Sequence, residues 1–267
     1  MANVRGLLLD VEGVLVGDKR YRAVPGAVDF MRRVRAAGLP VSIITNNTTD
    51  TKAVLVERLR REGLDFTLAE AHTCIGSAIH RLRTLGARRC LVLGTLELRQ
   101  MFLTAGFEVM NESAVDAVIV GLDTELTYER LRLACDAVGR RRAAFLALHR
   151  NRVYTDAFGR LAPSVGAIVE AIVFATEVEP TVIGKPSREY FQQALNSLGV
   201  EAGDVLMVSD DPLTDLVGAK QMGMQTAFVL SGKYKEPKVL EHLPPEQRPD
   251  HTAAGVADLL AGGVVPA

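Results

Sequence analysis

Short, almost wholly apolar runs alternate along this chain with longer stretches in which apolar positions recur every three or four residues. The short runs suit parallel strands buried on both faces, and the longer period suits the helices that cover them. The pattern predicts strands at 6–9 (GLLL), 41–44 (VSII), 181–183 (TVI), 204–208 (DVLMV) and 226–230 (TAFVL). Helices are expected between them at 26–37, 51–62, 188–198 and 213–222. Gly38, Gly63, Gly199 and Gly223 stand at the ends of those helices, where a left-handed C-cap costs least.

Between about 71 and 178 the alternation starts afresh, with strands at 90–93, 117–120 and 144–148 and helices near 76–85, 96–105, 127–138 and 165–176. The expected fold class is therefore α/β. A Rossmann-like, doubly wound parallel sheet forms the core from residues 1–70 plus 179–267, with a second α/β domain inserted over 71–178. The segment 235–250, rich in proline and charge, reads as a surface loop before a last short helix.

Composition narrows the possible partners. In 267 residues the formal net charge is -1, and Arg32-Arg33 and Arg140-Arg141-Arg142 are no longer than ordinary solvated helix ends, so no nucleic-acid partner is expected. No apolar run approaches the length that spans a bilayer, and the first residues lack the pattern of a signal peptide. Cys74, Cys90 and Cys135 are odd in number and widely spaced, which argues against a disulfide framework. A cytoplasmic protein is the expectation.

Ligands of open parallel sheets sit beyond the carboxyl ends of the strands, so polar residues there are the ones to inspect. Four ends stand out: LLLD-VEG with Asp10 and Glu12; SIIT-NN with Thr45, Asn46 and Asn47; TVIG-K with Lys185; VLMVS-DDPLTD with Asp210, Asp211 and Asp215. An acid after a strand is by itself commonly a turn former or helix cap. Four such ends in this order resemble the ordered motifs of the haloacid dehalogenase superfamily. The insertion between the second and third motif is similar to the cap of the NagD-like subgroup. Further phrases agree: VPGA at 24–27, ITNNTT at 44–49, VIGKPS at 182–187 and SGKY at 231–234. Within that subgroup the chain most resembles the phospholysine phosphohistidine inorganic pyrophosphate phosphatase branch.

The resemblance implies a phosphatase with Asp10 as covalent nucleophile and Glu12 as general acid and base. An anionic nucleophile repels an anionic substrate by several kcal/mol, about 4 at 4 Å and an effective dielectric near 20, so a cation is required. Hard carboxylate oxygens without His or Cys favour Mg²⁺. Asp10 and Asp210 are the expected side-chain ligands, the Glu12 carbonyl an implied third, and Asp211 and Asp215 outer partners of metal waters or of Lys185. Lys185 would bridge nucleophile and phosphate, while Thr45, Asn46 and Asn47 would bind phosphoryl oxygens. Gly13 would let the chain turn tightly after the nucleophile. Glu12 departs from the superfamily's usual Asp by one methylene, a form the enolase-phosphatase branch also resembles.

The stretch 149–159 (HRNRVYTDAFG) matches in position the subgroup's specificity loop, which implies that His149, Arg150, Arg152 and Tyr154 meet the leaving group. A solvated hairpin is the competing reading of the same residues. No GxxxxGK[ST] or GxGxxG occurs, so P-loop hydrolysis and dinucleotide binding find no support. The expected function is Mg²⁺-dependent hydrolysis of a small phosphorylated substrate, in a homodimer as the subgroup implies. The alternatives are P–N or pyrophosphate hydrolysis on the same fold, or a binding protein weakened in catalysis by Glu12.

Overall fold

The computed structural model describes residues 4–17, 21–155 and 160–265. The chain divides into two compact units, the first comprising Met1–Thr45, Lys52–His72 and Lys185–Ala267 and the second Asn46–Thr51 and Thr73–Gly184. In order come β1 (Gly6–Leu9), α1 (Ala27–Ala36), β2 (Val41–Thr45), α2 (Lys52–Arg61) and β3 (Ala71–Thr73). Then follow α3 (Cys74–Thr84), β4 (Arg89–Leu93), α4 (Leu96–Thr104), β5 (Glu108–Val109), β6 (Ala117–Val120), α5 (Tyr128–Cys135), β7 (Ala144–Ala147), β8 (Val153–Thr155), β9 (Leu161–Pro163), α6 (Val165–Thr176) and β10 (Thr181–Val182). The chain ends with α7 (Arg188–Leu198), β11 (Val205–Ser209), α8 (Asp215–Gln221), β12 (Gln225–Val229), β13 (His251–Ala253) and α9 (Val256–Ala261).

The first sheet has the order β13-β12-β11-β1-β2-β3. β1 is central and buried along its whole length, paired in parallel with β11 on one side and β2 on the other. Leu9 lies opposite both Val208 and Ile43, so the residues that follow these three strands emerge side by side at one edge. From β1 the chain steps one way to β2 and β3, and after the second unit it steps the other way through β11, β12 and β13. The strand order thus reverses between β1 and β11, where α/β sheets open a crevice. Leu7, Leu9, Phe30, Ile43, Leu55 and Phe66 anchor the apolar core on one side of this sheet.

The second unit has its own sheet, ordered β10-β7-β6-β4-β5, and its own core around Leu93, Val118, Phe145, Val169 and Ile172. An α/β fold with parallel sheets is therefore present, as the hydrophobic pattern predicts, and Gly38, Gly63, Gly199 and Gly223 all take positive φ, at 69°, 81°, 66° and 83°.

Some elements differ from expectation. The run 181–183 pairs not with the first sheet but with β7, Thr181 opposite Leu146 and Val182 opposite Ala147. The second unit accordingly extends to Gly184 rather than 178, and β3, where the inserted domain was expected to begin, lies at the edge of the first sheet. A short apolar run carries no sign of which sheet it joins. β5, β8, β9 and β13 are two or three residues each, too short for an alternation to register. The helix expected over 127–138 ends as an α-helix at Cys135 and continues as a π-turn over Asp136–Arg140.

His72 on β3 lies 2.8 Å through Nε2 from the Ser197 hydroxyl of α7. Burial, helped by the charge of Lys52, pushes its imidazole down to about 4 from an unfolded value near 6.5. Between those values the unfolded chain binds a proton that the folded chain does not, so this group costs stability as pH falls through the window. His72→Gln should therefore lose less stability than the native chain between about pH 7 and about pH 4.5 in urea titrations. Equal losses would show that His72 does not contribute.

Candidate active site

Asp10 follows β1 directly, its N–H bonded to the Val208 carbonyl of β11 at 2.9 Å, so backbone pairing continues up to the carboxylate. Its Oδ1 accepts from the Val11 N–H at 2.8 Å. The chain then winds tightly. The Leu15 and Val16 N–H groups both donate to the Val11 carbonyl, at 2.9 and 3.1 Å, and Gly13 takes φ 82°, a left-handed value that suits a residue without Cβ. An antiparallel bridge between Val16 and Ala23 brings the chain back over this turn.

The half-buried Glu12 is held at both oxygens: the Tyr21 hydroxyl donates to Oε1 at 3.0 Å, and the Thr45 hydroxyl donates to Oε2 at 2.9 Å. Thr45 is fully buried, and its carbonyl accepts from the Tyr190 hydroxyl of α7 at 2.8 Å. Its hydroxyl, assigned from sequence to the phosphoryl group, is directed here to Glu12.

Asn46 and Asn47 belong to the 46–51 segment of the second unit. Asn47 Oδ1 accepts from the N–H groups of Thr49 and Asp50 at 2.8 and 2.9 Å, which closes a turn after β2. Asn46 packs against Gly184, where a Cβ would come within 2.3 Å of the amide oxygen.

Lys185 is 3% exposed, and its ammonium lies 2.7 Å from Asp10 Oδ1 and 2.7 Å from Asp215 Oδ2. Helix α8 can reach this point because Gly218 lets it pack closely: a Cβ there would sit 2.7 Å from Pro186 and 3.0 Å from Phe191. Asp215, at the start of the same helix, also accepts from the Ser209 hydroxyl at 2.8 Å, and Ser209 Oγ accepts from the Asp211 N–H at 3.1 Å. Asp211 in turn accepts from the N–H groups of Leu213 and Thr214, both at 3.1 Å.

Two features escaped the sequence reading. Lys233 reaches both motif acids: its N–H donates to Asp210 Oδ2 at 2.6 Å, and its ammonium lies 2.8 Å from Asp211 Oδ2. Asp210 is also cradled by backbone, since a Cβ on Gly13 would approach its Oδ2 to 2.1 Å and one on Gly232 to 1.9 Å. The SGKY phrase marked this turn without indicating a contact, and Tyr21 stands in a loop with no periodic signal at all.

Five acids and two lysines meet here, and the balance shows in their proton affinities. Burial pushes Asp10 well above the usual carboxylate range, against the pull of Lys185 and with the charges of Asp215, Asp210 and Glu12 adding to the rise. Burial likewise pushes Asp210 up to about 6, although the Lys233 N–H opposes it. For Asp211 burial is outweighed by Lys233 and the Thr214 donors, which hold it below the usual range. Burial opposes the charge of Lys185, yet Asp10 and Asp215 together raise its proton affinity.

Among the described residues no three His, Cys, Asp or Glu side chains converge as a metal cage. The donor chemistry fits Mg²⁺, which takes one or two carboxylates and fills its remaining positions with water, carbonyl and phosphate oxygens. Asp10 and Asp210 are hard oxygen donors whose charged forms call for further positive charge.

The 149–159 stretch lies in the second unit. His149 is buried, with Nδ1 accepting from the Asn151 N–H at 3.2 Å. Arg150 pairs with Glu170 and, at 2.9 Å, with Glu179. Tyr154 stands on β8 opposite Ala162 of β9, an antiparallel partner. Arg150 and Arg152 line a cavity of about 420 Å³ with Val153, Leu161 and Glu170. Residues 156–159 of the stretch lie outside the described residues.

Comparison with known proteins gives a consistent family. A haloacid dehalogenase-like hydrolase family model matches residues 7–108, and an HAD-hydrolase-like one matches 182–259. Phospholysine phosphohistidine inorganic pyrophosphate phosphatase of Xenopus laevis is 31% identical over 98% of this chain and 93% of its own length. Among solved structures, p-nitrophenyl phosphatase from Archaeoglobus fulgidus superposes with a TM-score of 0.87 at 25% identity, covering 97% of this chain and 99% of the other. NagD from E. coli K-12 gives 0.82 at 26% identity, covering 96% and 98%. Glycerol phosphate phosphatase from Mycobacterium tuberculosis, in complex with magnesium, gives 0.81 at 26% identity, covering 96% and 76%. With four acid- and lysine-bearing chain segments gathered at the reversal of a parallel sheet, and relatives that match nearly its whole length, the chain belongs to the haloacid dehalogenase-like hydrolases, as a phosphatase with NagD-like structural neighbours.

Proposed function

We propose that this chain is a Mg²⁺-dependent phosphatase that hydrolyses small phosphorylated metabolites through a phosphorylated Asp10. The observation that carries the reading is the Asp10 carboxylate, fixed by Lys185 at 2.7 Å and set beside Asp210 at the reversal of the sheet. Phosphoryl transfer asks chiefly for an in-line nucleophile and compensation of charge on the phosphoryl oxygens. Asp10 supplies the nucleophile, forming a bond to phosphorus as the bond to the leaving oxygen breaks. Lys185 is held in place by Asp215 and offers its charge to the same reacting group. Glu12 gives a proton to the departing alkoxide, then takes one from the water that attacks phosphorus, releasing inorganic phosphate and restoring Asp10. Asp10 and Asp210 with the Glu12 carbonyl would hold Mg²⁺, which supplies the positive charge that Lys185 alone does not. The second unit would bear the specificity for the leaving group, with Arg150, Arg152 and Tyr154 as its polar candidates.

A narrower reading, hydrolysis of P–N or P–O–P bonds, is favoured by the relative named for phospholysine, phosphohistidine and pyrophosphate. No disulfide joins Cys74, Cys90 and Cys135 among the described residues, and a reducing, cytoplasmic setting is part of the same proposal. Assembly as a homodimer completes the proposal.

Purified protein should release 4-nitrophenol from 4-nitrophenyl phosphate with Mg²⁺ and lose that activity in EDTA. Asp10→Asn should abolish it, and turnover persisting in this variant would refute the mechanism. Phosphate release from pyrophosphate or phospholysine but not from sugar phosphates would select the narrower reading. Gly232→Ala would drive a methyl into the Asp210 carboxylate, so Mg²⁺ should bind at least about tenfold more weakly by calorimetry while the fold persists by circular dichroism. Since Asp210 takes up its proton near 6, Mg²⁺ affinity should fall as pH drops below that value, by up to about tenfold per unit. Affinity independent of pH from about 7 to about 5 would remove Asp210 from the ligand set.

A further inference from the structure

We infer that Tyr21 is a positioning residue for Glu12, fixing a side chain that is one methylene longer than the acid usually found two residues after the nucleophile. The inference rests on the phosphatase reading and on Glu12 as its proton carrier.

Three independent observations place Tyr21 in this role. Its hydroxyl donates to Glu12 Oε1 at 3.0 Å while Thr45 occupies Oε2 at 2.9 Å, so the carboxylate is gripped from two sides by donors on separate chain segments. Its backbone is left-handed, with φ 57°, although Tyr is a bulky residue that rarely enters this region. A non-glycine residue keeps such a conformation only where its surroundings over-determine it, and these sites cluster where a side chain must be aimed. Finally, the ring is 5% exposed, and the Arg58 guanidinium of α2 lies 5.0 Å from its centroid. The Val16–Ala23 bridge fixes the segment from the other side.

The physical reason for such a device lies in side-chain freedom. Glu has one more rotatable bond than Asp, so its carboxyl group samples a larger volume, and proton transfer requires it within hydrogen-bond reach of a defined oxygen. A donor at each oxygen removes that freedom before substrate arrives, which is pre-organisation of the acid and base. An Asp at position 12 would fall about 1.5 Å short, one bond length, and lose the Tyr21 contact. Tyr21 thus has a function only with Glu12 present. No transfer passes through its own hydroxyl.

The test is a double-mutant cycle in the full-length protein with Mg²⁺, using 4-nitrophenyl phosphate as the probe. Tyr21→Phe keeps the ring and its packing and removes only the hydroxyl. It should lower kcat roughly tenfold or more, with KM and the thermal midpoint unchanged. In a Glu12→Asp background the same substitution should change kcat less than about twofold. An unchanged kcat in Tyr21→Phe overturns the inference. So does an equal loss in both backgrounds, or a loss that follows a lowered thermal midpoint, because either would mark a structural tyrosine. Failure of the underlying reading is separate: it would appear as no Mg²⁺-dependent turnover in the native protein, or as turnover surviving in Asp10→Asn.

Discussion

The Lys185 ammonium, buried between the Asp10 and Asp215 carboxylates, is the interaction on which the rest of the site depends. Removing a charge from water costs several kcal/mol, and attraction to a partner recovers that cost only when distances are short and the remaining hydrogen bonds are made. Both conditions hold here. Asp215 is oriented by Ser209, Ser209 is oriented by the Asp211 N–H, and α8 brings Asp215 within reach because Gly218 carries no Cβ to hold the helix away from Pro186. One ammonium therefore links the central strand, the start of α8 and the segment that returns from the second unit. The pair itself is weak evidence for stability. What it secures is an Asp10 carboxylate with a fixed position, which the proposed mechanism uses as its nucleophile, and beside it a charge that the same mechanism offers to the substrate.

The same arrangement is what the proposed Mg²⁺ would complete, by adding positive charge beyond Lys185. Lys233 is bound to Asp211, so its charge is already committed, and Asp10 and Asp210 both hold protons more tightly than free carboxyls do. Crowded acids of this kind are relieved by taking up protons or by a cation. The backbone cradle formed by Gly13 and Gly232 around Asp210 shows that this carboxylate is located by main chain, which does not change rotamer.

The sequence revealed the strands and helices that are long enough to show a period, and it revealed acids and a lysine at strand ends because each breaks an apolar run abruptly. Asp10, Lys185, Asp210 and Asp215 were legible in that way. Tyr21 and Lys233 were not, because loop residues carry no period, and for Lys233 the partner Asp211 is also distant in sequence. The turn at Asn47 was not legible either: an Asn next to a strand end suits a turn as well as a ligand, and its Oδ1 takes the Thr49 and Asp50 N–H groups. The run 181–183 was assigned to the wrong sheet because burial on both faces looks the same in either.

The pairing of β1 with β11 has a consequence for how the protein is made. Ser209 and Asp10 are 199 residues apart, and the second unit lies between the strands that carry them. During synthesis β1 leaves the ribosome early but has no β11 to pair with until most of the chain has followed. The intervening unit, with a core of its own, can condense in that interval, whereas β1, which can already meet β2, must wait for its second neighbour β11. The carboxylate cluster, which needs residues from both ends of the chain, is thus completed only after the second unit has been made.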